Sequence, residues 1–161
     1  MVDLLAHFGR SGKIVGYEDW MSVLEADEVV VEPGDFVCIR TGFVQLLLDM
    51  NKNPDPQVLF STTSALDGRD DRLLQWITDS GAVAMLADNY AVEAAPARPC
   101  ADAYCASLPL HAHCLFKLGV YLGEMWYHQE LADWLRANGR SRFLLTAPPL
   151  RLPGAVGSPA T

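Results

Sequence analysis

The chain has 161 residues, half of them hydrophobic and 20% charged, so it is long enough to form one domain with a sizeable core. Its formal net charge of −8 at pH 7 argues against nucleic acid or an anionic membrane as a partner. No apolar run is long enough to span a bilayer, and no basic segment precedes the first apolar residues as in a secretory signal, so we expect a cytoplasmic protein.

The first forty residues begin with a short apolar segment and predict one helix and one turn. Met1 to Leu5 reads as a strand or helix that is already under way, without a lead-in or cap. The spacing of apolar residues predicts a short amphipathic helix from Tyr17 to Ala26. Glu32-Pro33-Gly34-Asp35 has the residues of a type II turn, which should feed a strand from Phe36 to Thr41.

The middle of the chain alternates between helix and strand signals. Val44 to Met50 is predicted as a helix that the following Asn/Pro-rich segment ends, and Val58 to Arg69 as irregular structure. Asp70 to Ser80 is a clear amphipathic helix. Ala82 to Ala87 is an unbroken apolar run, which is typical of a strand buried on both faces.

Polar residues follow that buried strand directly. Asp88 and Asn89 stand where open α/β sheets place ligands, so they are candidate substrate-binding residues, but an Asp/Asn turn that closes the strand explains them equally well. Next comes a Pro/Ala-rich excursion from Ala91 to Ala106. It contains Cys100 and Cys105, which could lie close together, but without an export signal we expect reduced thiols.

The stretch from Leu108 to Trp126 holds the main candidate site. Pro109 can open a helix and Gly119 can end it in the left-handed conformation. After the glycine the pattern changes to period two, which predicts a strand with Glu124 on a mostly apolar face. A helix from His128 to Ala137 and a last strand from Arg142 to Thr146 complete the chain.

The glutamate needs a partner, because ionised carboxylates are seldom buried alone. In one continuous helix His113 and Glu124 would lie about 16 Å apart, which no metal ion spans. A break at Gly119 lets the strand fold back and bring an imidazole, of His111 or His113, within about 6 Å of Glu124, whose carboxylate we expect to face an inner cavity. The alternative is a polar patch at a helix start with Glu124 paired to an arginine, and spacing alone does not decide between them.

Several motifs together resemble the cyclase family, which includes the bacterial kynurenine formamidases and the isatin hydrolases. They are the early histidines of the helix, G-V-x-x-G-E, E-P-G-D-F-V-C-I-R-T-G and A-P-P-L-R-L-P-G-x-x-G-S-P, in the same order over nearly the whole chain. The resemblance implies a single α/β domain over residues 1–161, with a swivelling, barrel-like sheet and flanking helices. It also implies a homo-oligomer that hydrolyses linear or cyclic amides as small-molecule substrates.

The family also implies a divalent metal, zinc or manganese, with His113 or His111 and Glu124 as part of the ligand set. Two departures stand against this. The family's H-x-G-T-H-x-D motif, which supplies most ligands, is absent, so we expect an N-terminally incomplete domain or a truncated form. The position of the family's later histidine falls on Ala112, between the two histidines of this chain.

Two functions therefore remain open. One is a metal-dependent hydrolase of a C–N bond, in which the metal would activate a bound water molecule. The other is a catalytically incomplete family member that serves in binding or oligomerisation, for which the aromatic segment around Trp126 and Tyr127 is suited. A cysteine nucleophile at Cys114 is disfavoured, because adjacent residues on a helix diverge by about 100° and His113 would point elsewhere.

Overall fold

A computed structural model describes residues 1–100 and 103–154 of the chain. The end of the A-P-P-L-R-L-P-G-x-x-G-S-P motif lies outside the described residues. The described strands are β1 (Val2–Asp3), β2 (Ile14–Val15), β3 (Phe36–Arg40), β4 (Ala65–Leu66), β5 (Ala84–Ala87) and β6 (Tyr121–Gly123). The described α-helices are α1 (Leu4–Phe8), α2 (Tyr17–Ala26), α3 (Phe43–Asp49), α4 (Pro56–Thr62), α5 (Asp71–Ser80), α6 (Pro109–His111) and α7 (Gln129–Ala137). A π-helix, Ala112–Leu118, continues α6.

The sheet is parallel throughout. Its four strands lie in the order β1-β3-β5-β6, and β2 and β4 form a separate parallel pair. Every residue of β5 is buried, as its unbroken apolar run predicts for a strand covered on both faces. Parallel pairing of β3 with β5 brings their carboxyl ends to the same edge. The α/β class is confirmed.

Helices α2 and α5 bury the main core. Trp20 of α2 is fully buried with its ring edge-on to Trp76, and Leu73 and Ile77 of α5 join the same cluster. Asp70 caps α5 by accepting hydrogen bonds from two backbone N–H groups, and Gly81 ends that helix in the left-handed region. The predicted helices from Tyr17 and from Asp70 are therefore confirmed.

The expectation of irregular structure from Val58 to Arg69 is wrong. Residues 56–62 form α4, and Ala65–Leu66 form β4. The Asp55 side chain accepts hydrogen bonds from the N–H groups of Gln57 and Val58, with proline at the first helical position. The Asp-Pro pair is thus a helix start, although the sequence also fits a helix-breaking loop.

The predicted strand from Arg142 to Thr146 is also wrong. This segment has no regular secondary structure, and Phe143 and Leu145 instead pack on Cys38, Ala84 and Leu86. These two side chains therefore cover the second face of the sheet with apolar groups. A short apolar segment alone does not distinguish a paired strand from an irregular segment that lies across a sheet.

Cys100 and Cys105 are joined by a disulfide, which corrects the expectation of reduced thiols. Cys38 and Cys114 are free and buried, as expected of small core residues. Burial raises the pKa of the Cys38 thiol to about 11 and that of Cys114 to about 12, so neither is a reactive thiolate near neutral pH. Among the described residues, no helix is both long and apolar enough to cross a membrane.

His128 should make stability depend on pH. Its side chain is buried, and Nε2 donates a hydrogen bond to the Leu86 carbonyl at 3.1 Å. Burial is the main cause that lowers the pKa of His128 from its usual value of 6.5. Below that value the unfolded chain takes up a proton that the folded chain does not, so the free energy of unfolding falls as the pH falls.

We therefore expect His128→Gln, whose side-chain amide can also donate to Leu86, to flatten this dependence. The measurement is urea unfolding of both proteins between about pH 7.5 and about pH 5.5, a window set by the ordinary histidine value. The loss of free energy across this window should be smaller in the variant than in the parent. Equal slopes would contradict the assignment of this effect to His128.

Candidate functional site

The carboxyl ends of β3 and β5 are tied together by Asp88. One oxygen of its carboxylate accepts hydrogen bonds from the Thr41 N–H at 2.6 Å and the Thr41 hydroxyl at 2.7 Å. The other oxygen accepts from the Gly42 N–H at 2.7 Å. Asp88 is buried, and Gly42 adopts a positive φ of 80° that presents its N–H to the carboxylate.

Asn89 holds the loop that follows β5. Its side-chain oxygen accepts a hydrogen bond from the Val92 N–H at 2.7 Å, and its amide nitrogen donates to the Ser64 carbonyl at 3.3 Å and to that of Val92 at 3.4 Å. The predicted substrate-binding role of Asp88 and Asn89 stays a prediction. In this structure both side chains are engaged with backbone and hydroxyl groups of the protein.

The loop ends on a fully buried carboxylate, Glu93. Its side chain has no solvent exposure and receives three hydrogen bonds from the start of α6. One oxygen accepts from the Leu110 N–H at 3.0 Å. The other accepts from the His111 N–H at 2.9 Å and contacts His111 Nδ1 at 2.8 Å. Glu93 therefore contacts both the backbone and the ring of the same histidine.

The far side of the same imidazole meets Glu124. His111 Nε2 lies 3.1 Å from Glu124 Oε1, and the two side chains are 23% and 36% exposed. The predicted approach of Glu124 within about 6 Å of a histidine is thus observed for His111. The expectation that this carboxylate faces an inner cavity is wrong, because it lies at the surface. Among the described residues its ion-pair partner is this histidine, not an arginine.

A break at Gly119 makes this approach possible. Gly119 has a φ of 71° and ends the π-helix, and Val120 donates a hydrogen bond back to the Cys114 carbonyl at 2.9 Å. The chain then runs into β6, and Glu124 follows directly after that strand. The prediction that Gly119 separates a helix from a strand, so that Glu124 is not helical, is confirmed. The prediction that Glu124 lies on an apolar face of that strand is wrong, because the strand ends at Gly123.

The π-helix also explains which histidine contacts Glu124. The cyclase resemblance places a histidine at Ala112, twelve positions before Glu124. In the structure the partner is His111, thirteen positions before it. A π-helical segment accommodates an extra residue within a helix, so one more residue can separate the imidazole from the carboxylate.

His113 lies apart from this pair. Its Nε2 is 2.9 Å from the Thr78 hydroxyl of α5. The structure therefore brings His111 and Glu124 together but not His113, which was an equal candidate in the sequence. Residues two apart on a helix face different directions, and this favours one histidine over the other.

Counting hydrogen-bond donors indicates what the His111–Glu124 contact needs. A neutral imidazole has one N–H, and an ionised carboxylate only accepts. If Nδ1 carries the proton and donates to Glu93, then Nε2 and Glu124 Oε1 are two acceptors at 3.1 Å. Such a contact is favourable only with a proton or a metal ion between the two atoms.

The described residues contain no group of three or more His, Cys, Asp or Glu side chains arranged to hold a metal ion. The contacts of His111 show why. Its two carboxylate neighbours lie on opposite ring nitrogens, so Glu93 and Glu124 cannot bind the same ion together with it. The described chain offers two donors for one ion, His111 Nε2 and the carboxylate of Glu124.

Glu93 is the functional residue that the sequence did not reveal. It lies in a Pro/Ala-rich stretch without periodicity, eighteen positions before the histidine it contacts. A charged residue just after a buried strand and its polar turn was the available signal. That signal is weak, because most such residues are solvated.

Comparison with known proteins bears on the fold. No family model and no curated protein matches the chain. A solved structure described as the crystal structure of a novel cyclase does match, with a TM-score of 0.75 and 32% sequence identity over 99% of this chain. This similarity supports cyclase-family membership. The chain spans 49% of the length of that cyclase.

Asp88 gives a test of the strand-end geometry. In Asp88→Asn the new amide group would face N–H or O–H donors of Thr41 and Gly42, so at least one buried donor loses its acceptor. We expect unfolding to become easier by about 1–3 kcal/mol in urea. The control is Asp79→Asn, since Asp79 is exposed and, within the described part of the chain, accepts from the Gln75 side chain. Equal stability of the two variants would contradict a structural role for Asp88.

Proposed function

We propose that this chain carries part of the active site of a cyclase-family hydrolase that uses a divalent metal ion to cleave a C–N bond of a linear or cyclic amide. The observation that supports it is the contact between His111 Nε2 and Glu124 Oε1, a ring nitrogen and a carboxylate oxygen 3.1 Å apart at the protein surface. The substrate would be a small molecule, as the family resemblance implies.

The distance fits two ligands of one ion. Zinc ligands of these types lie about 2.0–2.2 Å from the metal, so two of them at a tetrahedral angle are about 3.3 Å apart. The buried Glu93 on Nδ1 is the kind of orienting carboxylate that metal-binding histidines have on their other nitrogen. His111 and Glu124 would therefore hold the ion, zinc or manganese, with Glu93 behind the histidine.

When bound, such an ion lowers the pKa of a water molecule toward neutrality and polarises the scissile carbonyl. This chain's own residues supply two donors, fix the ring of His111 and leave the pair open to solvent. A catalytic site needs about three protein ligands and one open position. The family resemblance assigns the further donors to an H-x-G-T-H-x-D segment, which is absent from these 161 residues.

The alternative is a catalytically incomplete member that serves in binding or homo-oligomerisation. It is favoured by apolar side chains on the π-helix and β6, where Phe116 is 89% and Tyr121 73% exposed. Strand β6 also lies at the edge of the described sheet. The aromatic segment around Trp126 and Tyr127, which the sequence suggested for association, is less suitable. Trp126 packs on Cys38, Ala84 and Leu86, and the Tyr127 hydroxyl donates to Gln45. Self-association without any metal binding would favour this alternative.

Glu124→Gln tests the metal proposal. The amide keeps the shape of the side chain but removes its charge, so zinc or manganese binding measured by calorimetry should be lost. The melting temperature should hardly change, because the carboxylate is partly exposed and such ion pairs contribute at most about 1 kcal/mol.

The matched control is His113→Gln. This histidine lies two positions from His111 but contacts Thr78, so its removal should leave metal affinity unchanged. Equal loss of binding in both variants would indicate a different site. Binding that survives in Glu124→Gln would contradict the proposed ligand set.

We also expect that the 161-residue chain alone does not hydrolyse N-formylkynurenine or isatin when zinc or manganese is supplied. Two donors should bind the ion weakly and leave it poorly oriented. The comparison is a longer protein that also contains an H-x-G-T-H-x-D segment upstream, assayed at equal metal saturation. Metal-dependent turnover by the short chain that equals that of the long one would show that the site lies elsewhere.

A further inference from the structure

We propose that Glu93 is a positioning residue. It holds the imidazole of His111 with the proton on Nδ1 and so directs the lone pair of Nε2 at Glu124. The consequence for metal capture rests on the function proposed above, whereas the state of the ring does not.

A carboxylate without solvent exposure needs strong compensation. For Glu93 the compensation comes from two consecutive residues, through the N–H groups of Leu110 and His111 and the ring nitrogen Nδ1. A carboxylate that only satisfied the backbone of α6 would need the first two contacts. The third contact, to the ring, is the one that a purely structural role does not require.

The loop before Glu93 adopts an unfavourable conformation to deliver it. Val92 is buried and has a φ of 58°, a region that β-branched residues rarely occupy. The Asn89 side chain holds both the N–H and the carbonyl of Val92 in this conformation. Strain of this kind persists only where the surroundings enforce it, and here its result is the inward direction of Glu93.

Gly68 leaves the space for the carboxylate. A Cβ at this position would overlap Glu93 Oε2 and would lie 2.9 Å from the Leu110 nitrogen and 3.0 Å from Pro109 Cγ. Only a residue without a side chain therefore allows Glu93 to reach the start of α6. A side chain at position 68 would therefore disturb the contact between Glu93 and His111, although Gly68 itself makes no part of that contact.

The contacts of Glu93 restrict the ring itself. One oxygen, Oε1, contacts both the backbone nitrogen and Nδ1 of His111, so the backbone and the ring of one residue are held by one atom. This fixes the side-chain torsions of the histidine. Both ring nitrogens face a carboxylate, but Glu93 is fully buried and 2.8 Å from Nδ1, whereas Glu124 is 36% exposed and 3.1 Å from Nε2. The buried carboxylate has the greater need of a donor, so a neutral ring keeps its proton on Nδ1 and presents the lone pair of Nε2 to Glu124.

The test is ¹⁵N NMR of the histidine side chains, recorded without metal and followed to alkaline pH where the rings are neutral. We expect His111 in the Nδ1–H form. His128 is an internal reference for the opposite form, because its Nε2 donates to the Leu86 carbonyl. A His111 that carries its proton on Nε2 in the unaltered chain would overturn the proposal without any variant.

Glu93→Gln should release the ring. The His111 signals should move toward the Nε2–H form or an average of both, while those of His113 and His128 stay in place. Gly68→Ala should have the same effect on His111, since it displaces the carboxylate without altering its chemistry. The matched control is Thr78→Val, which removes the partner of His113 and should shift only that histidine's signals. Unchanged His111 signals in Glu93→Gln would overturn the proposal.

Zinc titration of the same proteins separates this inference from the proposed function. Loss of the orienting carboxylate should weaken zinc binding by about 10–100-fold. Full zinc affinity in Glu93→Gln would overturn positioning and leave the metal site standing. An Nδ1–H ring that Glu93→Gln releases, in a chain that binds no zinc, would support positioning and contradict the metal site.

Discussion

Removing a carboxylate from water is costly, and in this fold one such group, Glu93, depends on donors from a segment far along the chain. The N–H groups of Leu110 and His111 and the ring of His111 lie seventeen and eighteen positions after it. These contacts fasten the start of α6 to the loop after β5. Since the π-helix and β6 follow α6, the place of Glu124 is indirectly set by the same carboxylate.

The parallel sheet determines where that loop begins. Pairing of β3 with β5 aligns their carboxyl ends, and Asp88 joins these ends through Thr41 and Gly42. The backbone beyond Asp88 then has a fixed starting point, from which Asn89 turns it toward the interior. Asp88 and Asn89, which the sequence predicted as substrate-binding residues, thus fix the backbone that leads to Glu93 and His111. Both side chains already bind other groups of the protein.

Local signals explain most of what the sequence predicted. The helices from Tyr17 and from Asp70 have apolar periodicity of their own, the second is also capped by Asp70, and β5 has an unbroken apolar run. Glycine adopts the left-handed conformation that ends a helix without steric cost, as Gly119 does, so the break before Glu124 was also predictable. The wrong predictions concern segments whose structure is not determined by such local signals. The helix after Asp55 begins with residues that loops use as well, and Phe143 and Leu145 are apolar because they cover one face of the sheet.

The site was only half predictable for the same reason. Proximity of a histidine to Glu124 followed from the glycine break, whereas the choice between His111 and His113 depends on the local winding of the helix, which the sequence pattern did not indicate. Glu93 could not be found at all, because its contacts depend on Gly68 having no side chain and on the backbone of Val92. Long-range contacts of this kind produce no periodic pattern in the sequence.

The charge balance around His111 gives the strongest reason to expect a cation there. One imidazole lies between two carboxylates in a chain whose formal net charge is −8. A proton on Nε2 can neutralise the contact with Glu124 but uses the lone pair that faces it. A divalent ion can bind to that lone pair and to the carboxylate together, and it brings twice the charge. With two donors such an ion would be held weakly unless further ligands are supplied. In the proposed metal site His111 and Glu124 are therefore one part of the ligand set, for which the fold provides orientation and affinity depends on donors that the described residues do not supply.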